Sequence, residues 1–472
     1  MIAFALMSLV FGGVILAQFG SSYWAIASET SNEGLYKAKT RLEELRAIVR
    51  KDFRLASSSP TMRISDSFCN SGSLCYFIKT DVTDLSPCSK YVAAQVDWRV
   101  SGYPTTTTSL FTNLTDVNEA ISLGGDCPLT APEGTWATAL QQASADIGGG
   151  VPSGVDVLGT NAYLTSNQSP YLHIYSAGAF SAYANSFAAM DPLNNIDVAR
   201  DVATGRTYGY AAIASTSVQL EVFDLTDTNN PTSVAKLVLN SVDKTGSFPQ
   251  GWRAAYYDRK VYIATRETTG PEFHVVDVSN PANPVELGSR ELNTSAYGIV
   301  VRDIKQNGTA RRMVFLATSM NSKELMVLDA SNPASITELA GVATDLPGDY
   351  DGRSVFLSGN TLYIGTVSNP GGKELYALDA SNIFTASGGF STVSSVEIGG
   401  GVTSIRVSEP FVFVANTKSG RELQVFTAVG GVLPASELSH FSVSGATVAD
   451  MEGKYIYVAS QNNPRLRLIK SQ

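Results

Sequence analysis

The stretch that decides the fold is VYIATRETTGPEFHVVDVSNPANPVELG, residues 261–288. It holds two short apolar runs, VYIAT and FHVVD, separated by polar residues and a Gly-Pro pair, and followed by a proline-rich turn. Apolar runs of this length, bounded by turn residues, predict short β-strands. The number of times that this pair of runs recurs therefore sets the architecture of the chain.

Both runs recur through the last three hundred residues. Variants of the first run begin at intervals of 49, 50, 53, 48, 50 and 44 residues, at Ala162, Ala211, Val261, Val314, Leu362, Val412 and Ile456. The second run ends at Asp224, Asp277, Asp329 and Asp379, with degenerate members at Ser176, Thr427 and Lys470. Two strands that keep one period predict an all-β propeller of seven blades over residues 136–472.

The repeated units resemble LVIVD-type propeller repeats, most clearly in FHVVDVSNPANPVELG. The seventh unit ends directly after its third strand, so its outer strand is missing. We expect a strand within GTWATALQQASADI, residues 134–147, to take that place and close the ring.

Two series of acidic residues recur with the strands. The aspartates that end the second run are predicted to be turn residues that accept backbone N–H groups. A glutamate stands five residues before each of the last three and before Thr427, and this series is predicted to lie on an exposed strand edge: Glu272, Glu324, Glu374 and Glu422.

Composition and motifs bound the function. The chain has 472 residues and a net charge of −9, which argues against nucleic-acid partners because these need a basic face. We find no nucleotide-binding loop, catalytic triad or metal triad, so we expect no enzyme and no cofactor. Asp345, Asp349 and Asp351 could hold calcium through oxygen ligands, but a solvated turn is the preferred interpretation.

The N-terminal region combines an apolar and an amphipathic half. No charged residue precedes Glu29, and residues 1–28 are apolar or small with few exceptions. Residues 29–55 continue with apolar positions three and four apart, which predicts one long helix over residues 1–55 with a seam toward a β head. The seam comprises Leu35, Ala38, Leu42, Leu45 and Val49.

Three interpretations account for the apolar start. A secretory signal peptide would be cleaved after Ala27, but no basic residue precedes the apolar run and the sequence keeps Met1. A plain membrane anchor fits the length and leaves the amphipathic half without a role. The third interpretation is a family resemblance.

Residues 1–115 resemble a type IV pilin numbered from its mature end, in the apolar start, in EGLYKAKTRLEELRAIVRKDF and in SPCSKYVAAQVDW. The resemblance implies an apolar half-helix that is held in the inner membrane and then enters a filament core made of copies of the chain. Ala5 stands where the family has a glutamate. The implied core residues are Met1, Ile2, Phe4, Leu6, Leu9, Val10, Phe11, Val14, Ile15 and Leu16.

Residues 56–135 are predicted to form the small β-rich head. Strands are expected in CYFIKTDV, YVAAQVDWRVSG and YPTTTTSLFTNL. An even number of cysteines in one short region predicts two disulfides. The simplest pairing joins Cys69 to Cys75 and Cys88 to Cys127, and two other pairings are possible.

The function expected from these features is that of an extracellular, cell-surface pilus-like filament subunit. It would polymerise through its N-terminal helix and display the propeller toward a surface, a glycan or another cell. Two alternatives are a monomeric, membrane-anchored envelope scaffold and an extracellular propeller enzyme that acts on polysaccharide.

Overall fold

The computed structural model describes residues 28–64, 75–99, 105–127, 135–147, 150–178, 185–187, 191–240, 251–385 and 387–472. The chain divides into two compact units. The first unit comprises the described residues up to Thr83 together with Lys90–Leu114. The second unit comprises Asp84–Ser89 and Thr115–Gln472. The second unit therefore begins earlier than the predicted boundary at residue 136. The predicted filament core lies outside the described residues.

The first unit opens with helix α1, residues 28–51. A 3-10 turn follows over Phe53–Leu55, and Asp52 caps the start of this turn by accepting a hydrogen bond from the Arg54 N–H at 3.0 Å. The predicted helix to residue 55 is therefore too long. None of the described helices is long and apolar enough to span a membrane.

Four strands form one sheet beside this helix, in the order β1-β2-β3-β4. They span Ser59–Arg63, Cys75–Ser86, Ser89–Arg99 and Thr106–Thr115. The sequence predicts the last three strands. It misses β1, which pairs antiparallel with β2.

The core of the first unit lies between one face of α1 and one face of the sheet. Ala38, Leu42 and Leu45 are buried there with Trp98, and Val49 is partly buried against them. The prediction is wrong at Leu35, which is 45 % exposed.

Gly34 takes the position next to the sheet in place of Leu35. A Cβ on Gly34 would come within 2.7 Å of the Trp98 indole, so the glycine leaves room for that ring. The helical face is therefore set by the shape of its partner as well as by apolar spacing.

The second unit contains, among its described residues, seven four-stranded sheets. In chain order the sheets comprise β6–β9 (Pro152–Leu158, Asn161–Ser166, Leu172–Ser176, Asn185–Phe187), β10–β13 (Leu193–Arg200, Thr207–Ile213, Leu220–Asp224, Thr232–Leu237), β14–β17 (Gly251–Tyr257, Lys260–Thr265, Phe273–Asp277, Val285–Arg290), β18–β21 (Ala296–Gln306, Thr309–Thr318, Leu325–Asp329, Thr337–Glu338), β22–β25 (Gly352–Ser358, Thr361–Thr366, Leu375–Asp379, Thr392–Val396), β26–β29 (Val402–Ser408, Phe411–Asn416, Leu423–Thr427, Ser439–Phe441) and β30–β32 (Ala446–Glu452, Tyr455–Ser460, Leu466–Lys470) with β5 (Leu140–Ala145).

These sheets are arranged as in a β-propeller. The first strand of each sheet lies beside the first strand of the next, and β30 lies beside β6. The last sheet is completed by β5, which pairs with β32 from Lys470 opposite Leu140 to Leu466 opposite Ala145. The predicted closing strand is confirmed.

The repeated apolar runs are the second and third strands of the sheets. In β15, for example, Val261 through Thr265 are all buried. Strands covered on both faces read as continuous apolar runs instead of alternating ones. Burial on both sides therefore explains why the repeat was visible in the sequence.

A disulfide joins Cys88 to Cys127, with Cα atoms 6.1 Å apart, as the simplest pairing predicts. Both residues belong to the second unit, so this bond does not tie the predicted head together. Cys75 is also disulfide-bonded, and its predicted partner Cys69 lies outside the described residues.

Candidate functional site

The recurrent aspartates occupy turns, as predicted. An Oδ1 atom accepts the backbone N–H two residues ahead in each case, at 3.0 Å for Asp224, 2.8 Å for Asp277, 2.9 Å for Asp329 and 2.8 Å for Asp379. Partial burial acts to raise the pKa of Asp277, but hydrogen bonds from Ser279 lower the pKa below its ordinary value. These carboxylates start the connection to the outer strand and are not a site.

The recurrent glutamates are buried, and their prediction as an exposed strand edge is wrong. Glu272, Glu324, Glu374 and Glu422 are 0 %, 0 %, 1 % and 5 % exposed. In Glu374, Oε1 accepts the Asn369 N–H at 3.0 Å, and Oε2 accepts the N–H groups of Ile398 at 2.8 Å and Gly399 at 3.2 Å. Each glutamate stabilises loop backbone that would otherwise lose its hydrogen bonds to water.

Gln219 takes the same place in the second sheet. It is fully buried, its Oε1 accepts the Leu239 N–H at 3.0 Å, and its amide donates to the Ser215 carbonyl at 3.3 Å. A neutral side chain of the same shape therefore fills this position in one of the sheets, which supports a structural role for the whole series.

Polar side chains of the innermost strands converge on a central channel. The strands enclose a cavity of about 160 Å³ whose lining includes Asp126, Asp156, Asp197 and Arg406. Asp156 stands six residues and Asp197 14 residues before the next repeated run, so no common spacing marks these carboxylates in the sequence.

The carboxylates of the channel link neighbouring strands. Asp450 accepts the Val157 N–H at 2.8 Å and the Arg406 Nε at 2.7 Å, and Asp197 accepts the Tyr256 N–H at 2.8 Å. Asp156 accepts the N–H of Val198 in the same manner. Each acid therefore joins the innermost strands of two adjacent sheets.

A short segment brings further acidic groups to the channel. It contains helix α2, Val117–Ser122, with Asp116 as its N-cap, and ends at Cys127. Glu119 accepts a hydrogen bond from the Tyr257 hydroxyl at 2.5 Å and lies 3.4 Å from Arg302 Nε. Further along, Asp126 lines the cavity itself.

Burial shifts the pKa values of these acids upward. It raises the pKa of Asp197 to about 7, against the hydrogen bond from Tyr256. Burial also raises the pKa of Glu452, the last residue of β30, which does not line this cavity, to about 7, with a contribution from Asp450. The pKa values of Asp126 and Asp156 lie well above the ordinary range because burial is reinforced by neighbouring aspartates.

Basic and aromatic groups gather where the innermost strands begin. The Trp252 and Tyr297 rings pack edge to face, with centroids 6.1 Å apart. The Arg266 guanidinium lies 4.1 Å from the centre of the Trp252 ring, and the Arg353 guanidinium lies 3.8 Å from that of Tyr297. These four residues and Arg253 form the channel mouth.

The proposed calcium ligands are not brought together. Among the residues that the structure describes, no group of three histidine, cysteine or acidic side chains could hold a metal ion. Asp351 lies 3.2 Å from Arg353 Nη2, and Asp345 and Asp349 are exposed.

Comparison with known proteins supports the repeat. The family model of the LVIVD repeat matches residues 261–291 and 319–344, in agreement with the resemblance of the repeated units. No curated protein matches the chain.

Several solved structures are similar to the chain. The WD40 β-propeller domain of Doa1 is 13 % identical, with a TM-score of 0.47, and the match covers 71 % of this chain and 97 % of that one. YCF48 from Cyanidioschyzon merolae is 11 % identical, with a TM-score of 0.44 and coverage of 71 % and 98 %. Sqt1 of Saccharomyces cerevisiae is 10 % identical, with a TM-score of 0.43 and coverage of 71 % and 98 %. These likenesses are too distant to carry an argument about this chain.

Proposed function

We propose that this chain is a structural subunit of an extracellular, type IV pilus-like filament. In this proposal residues 1–28 polymerise in the filament core, and a closed seven-bladed propeller is displayed on the outside. The observation that carries the proposal is the position of α1, which packs one face on a four-stranded sheet. The 27 residues directly before this helix carry no charge.

That apolar segment must be shielded from water, because exposed apolar surface is unfavourable. As a helix its 28 residues would be about 42 Å long at about 1.5 Å per residue. Each buried apolar side chain contributes roughly 1.5–3 kcal/mol, so copies that shield one another gain a large stabilisation. A lipid bilayer would shield the same segment before assembly, which fits an inner-membrane precursor.

The absence of a glutamate at Ala5 bears on assembly. In a pilin-like core an amine buried without a carboxylate partner is costly, so other polar groups would have to take the role of the glutamate that the family has at this place. Oxygen atoms of neighbouring backbones could supply such partners.

The localisation proposed is the cell surface. Disulfides persist in oxidising, extracellular compartments, and the Cys88–Cys127 bond fits such a compartment. The propeller offers a rigid scaffold whose loops can contact a surface, a glycan or another cell. We propose adhesion or interaction as the role of the displayed unit.

Electron microscopy of material purified from the native cell surface tests this proposal. We expect helical filaments, and we expect Leu6→Asp to abolish them by placing a charge in the core. The matched control is Val429→Asp, because Val429 lies in the second unit and is 75 % exposed. Single detergent-bound particles, or filaments that survive Leu6→Asp, would contradict the proposal and favour the monomeric scaffold.

A second candidate is an enzyme that acts on polysaccharide, and the acidic channel favours it. Glycoside hydrolysis uses a pair of carboxyl groups that flank the scissile bond, and three carboxyl groups, those of Asp126, Asp156 and Asp197, line one cavity here. Release of reducing ends from a polysaccharide panel, lost in Asp197→Asn, would support this function. No release from any polymer would exclude it for that panel.

A further inference from the structure

The channel mouth opens into a depression of about 640 Å³, within the roughly 300–1,000 Å³ that small-ligand sites occupy. Arg253, Arg353, Trp252 and Tyr297 line it. We propose that this depression binds the carboxylate of an acidic saccharide, a uronic acid unit within a glycan. The assignment specifies the ligand class for the display role proposed above and rests on it.

The aromatic rings hold the guanidinium groups in place. Arg353 stacks on Tyr297 at 3.8 Å, and Arg253 lies 5.8 Å from the centre of the Trp252 ring. A stacked guanidinium keeps its edge free of the ring and can present two parallel N–H donors to a carboxylate. Less side-chain freedom is then lost when the ligand binds.

The charge of Arg253 is not compensated by a protein carboxylate. Its Nη1 reaches the carbonyl oxygens of Asn194 and Trp252 only at 3.4 Å, and it forms no ion pair with any residue that the structure describes. Burial lowers its pKa to about 10, and Arg406 and Arg353 add to the effect. A bound carboxylate would supply the missing negative charge.

The nearby acids are already engaged. Asp351 pairs with Arg353 at 3.2 Å. Glu422, which also lines the depression, accepts the N–H groups of Gly420 and Val443, both at 3.0 Å. The protein has a net charge of −9, so this basic depression is a local exception on an acidic molecule.

The rest of the lining suits a sugar. Seven of the 17 lining residues carry a neutral aliphatic hydroxyl or amide side chain, including Ser368, Thr403, Thr417, Ser444, Thr447 and Gln461. The Thr417 hydroxyl accepts the Gly401 N–H at 2.9 Å, which leaves its O–H able to donate to a ligand. Saccharide hydroxyl groups need such donors and acceptors.

Titration calorimetry on the purified full-length protein tests the assignment, with trigalacturonate as the probe. We expect binding that weakens as salt rises, and no binding of the neutral galactose trimer. Arg253→Gln should weaken trigalacturonate binding at least tenfold. Arg206→Gln is the matched control because it removes the same charge from an arginine that pairs with Asp224 and does not line the depression, and it should bind like the wild type.

The outcomes separate this assignment from the filament proposal. Arg353→Gln carries the same expectation and serves if Arg253→Gln does not fold. Absence of binding at low salt, wild-type binding by both variants, or equally tight binding of triglutamate would overturn the assignment. If filaments form without uronate binding, only the ligand is wrong. If uronate binds to a protein that never polymerises, the filament proposal fails and the binding site stands.

Discussion

The two units differ in how they bury polar and apolar groups. The first has one helix on one sheet, and the opposite sheet face leaves Phe77, Tyr91 and Phe111 exposed. The second repeats a four-stranded sheet and satisfies buried carboxylates with backbone N–H groups at equivalent positions, as at Glu272 and Glu374. The propeller therefore repeats the same stabilising contact in several sheets, whereas the helix–sheet unit depends on single residues.

The largest effect is expected from Trp98→Ala in the helix–sheet unit. The indole is almost fully buried between α1 and the sheet, and removing a buried aromatic side chain costs about 3–5 kcal/mol. We expect loss of the first unit's folding while the propeller stays folded. Calorimetry should show that the unfolding transition of the first unit disappears and that of the propeller persists. Loss of both transitions together would show that the two units do not unfold separately.

The second expectation concerns pH and the propeller. Asp197 and Glu452 have pKa values raised to about 7, so the folded state binds more protons than the unfolded chain between about pH 4 and 7. Their stabilising contribution is present below about pH 4 and is lost as the pH rises through 7.

Denaturant titrations at pH 5 and pH 8 check this. We expect the free energy of unfolding to be lower at pH 8 than at pH 5 by roughly 2–4 kcal/mol. Asp197→Asn keeps an acceptor for the Tyr256 N–H and removes the titrating group, so its stability should fall less over the same interval. A protein that is more stable at pH 8 than at pH 5 would show that Asp197 and Glu452 do not dominate the pH dependence of its stability.

Glu374→Ala should have the next largest effect. It leaves three loop N–H groups without their acceptor, at an expected cost of about 2–3 kcal/mol in the free energy of unfolding. Glu374→Gln should cost less, because its Oε1 can still accept the N–H groups of Ile398 and Gly399, as that of Gln219 accepts the Leu239 N–H, whereas its Nε2 cannot accept the Asn369 N–H. Equal effects of the two changes would mean that the charge, and not the shape, is required.

Gly34→Ala sharpens the comparison through the sign of its effect. Helix propensity alone favours alanine by about 1 kcal/mol. The added Cβ would lie 2.7 Å from the Trp98 ring, and overpacking of this kind costs about 1–3 kcal/mol. We expect net destabilisation of the first unit, measured by its calorimetric transition. Stabilisation would show that the indole moves aside freely.

The sequence predicts those parts of the fold that repeat. The buried second and third strands and the turn aspartates recur at one period, and the missing outer strand implies the closing strand β5. What the sequence does not show depends on a partner that is distant in the chain. Leu35 fits the helical spacing, but Gly34 and not Leu35 faces the sheet, because the Trp98 ring leaves no room for a side chain there.

The candidate site was less accessible to prediction. Glu374 and its equivalents resemble solvent-facing strand residues, because only the fold brings the N–H groups of Ile398 and Gly399 to them. Trp252, Tyr297 and Arg353 belong to three different sheets and share no motif. Their proximity follows from the arrangement of the innermost strands around one channel.

The filament proposal is tested most directly by contacts between copies of the apolar segment. A photo-crosslinking amino acid at Phe11 should join neighbouring subunits in native material and give a ladder of oligomers after illumination, whereas the same group at the exposed Val429 should not. A Phe11 variant that yields monomers only, or crosslinks to lipid alone, would contradict the account.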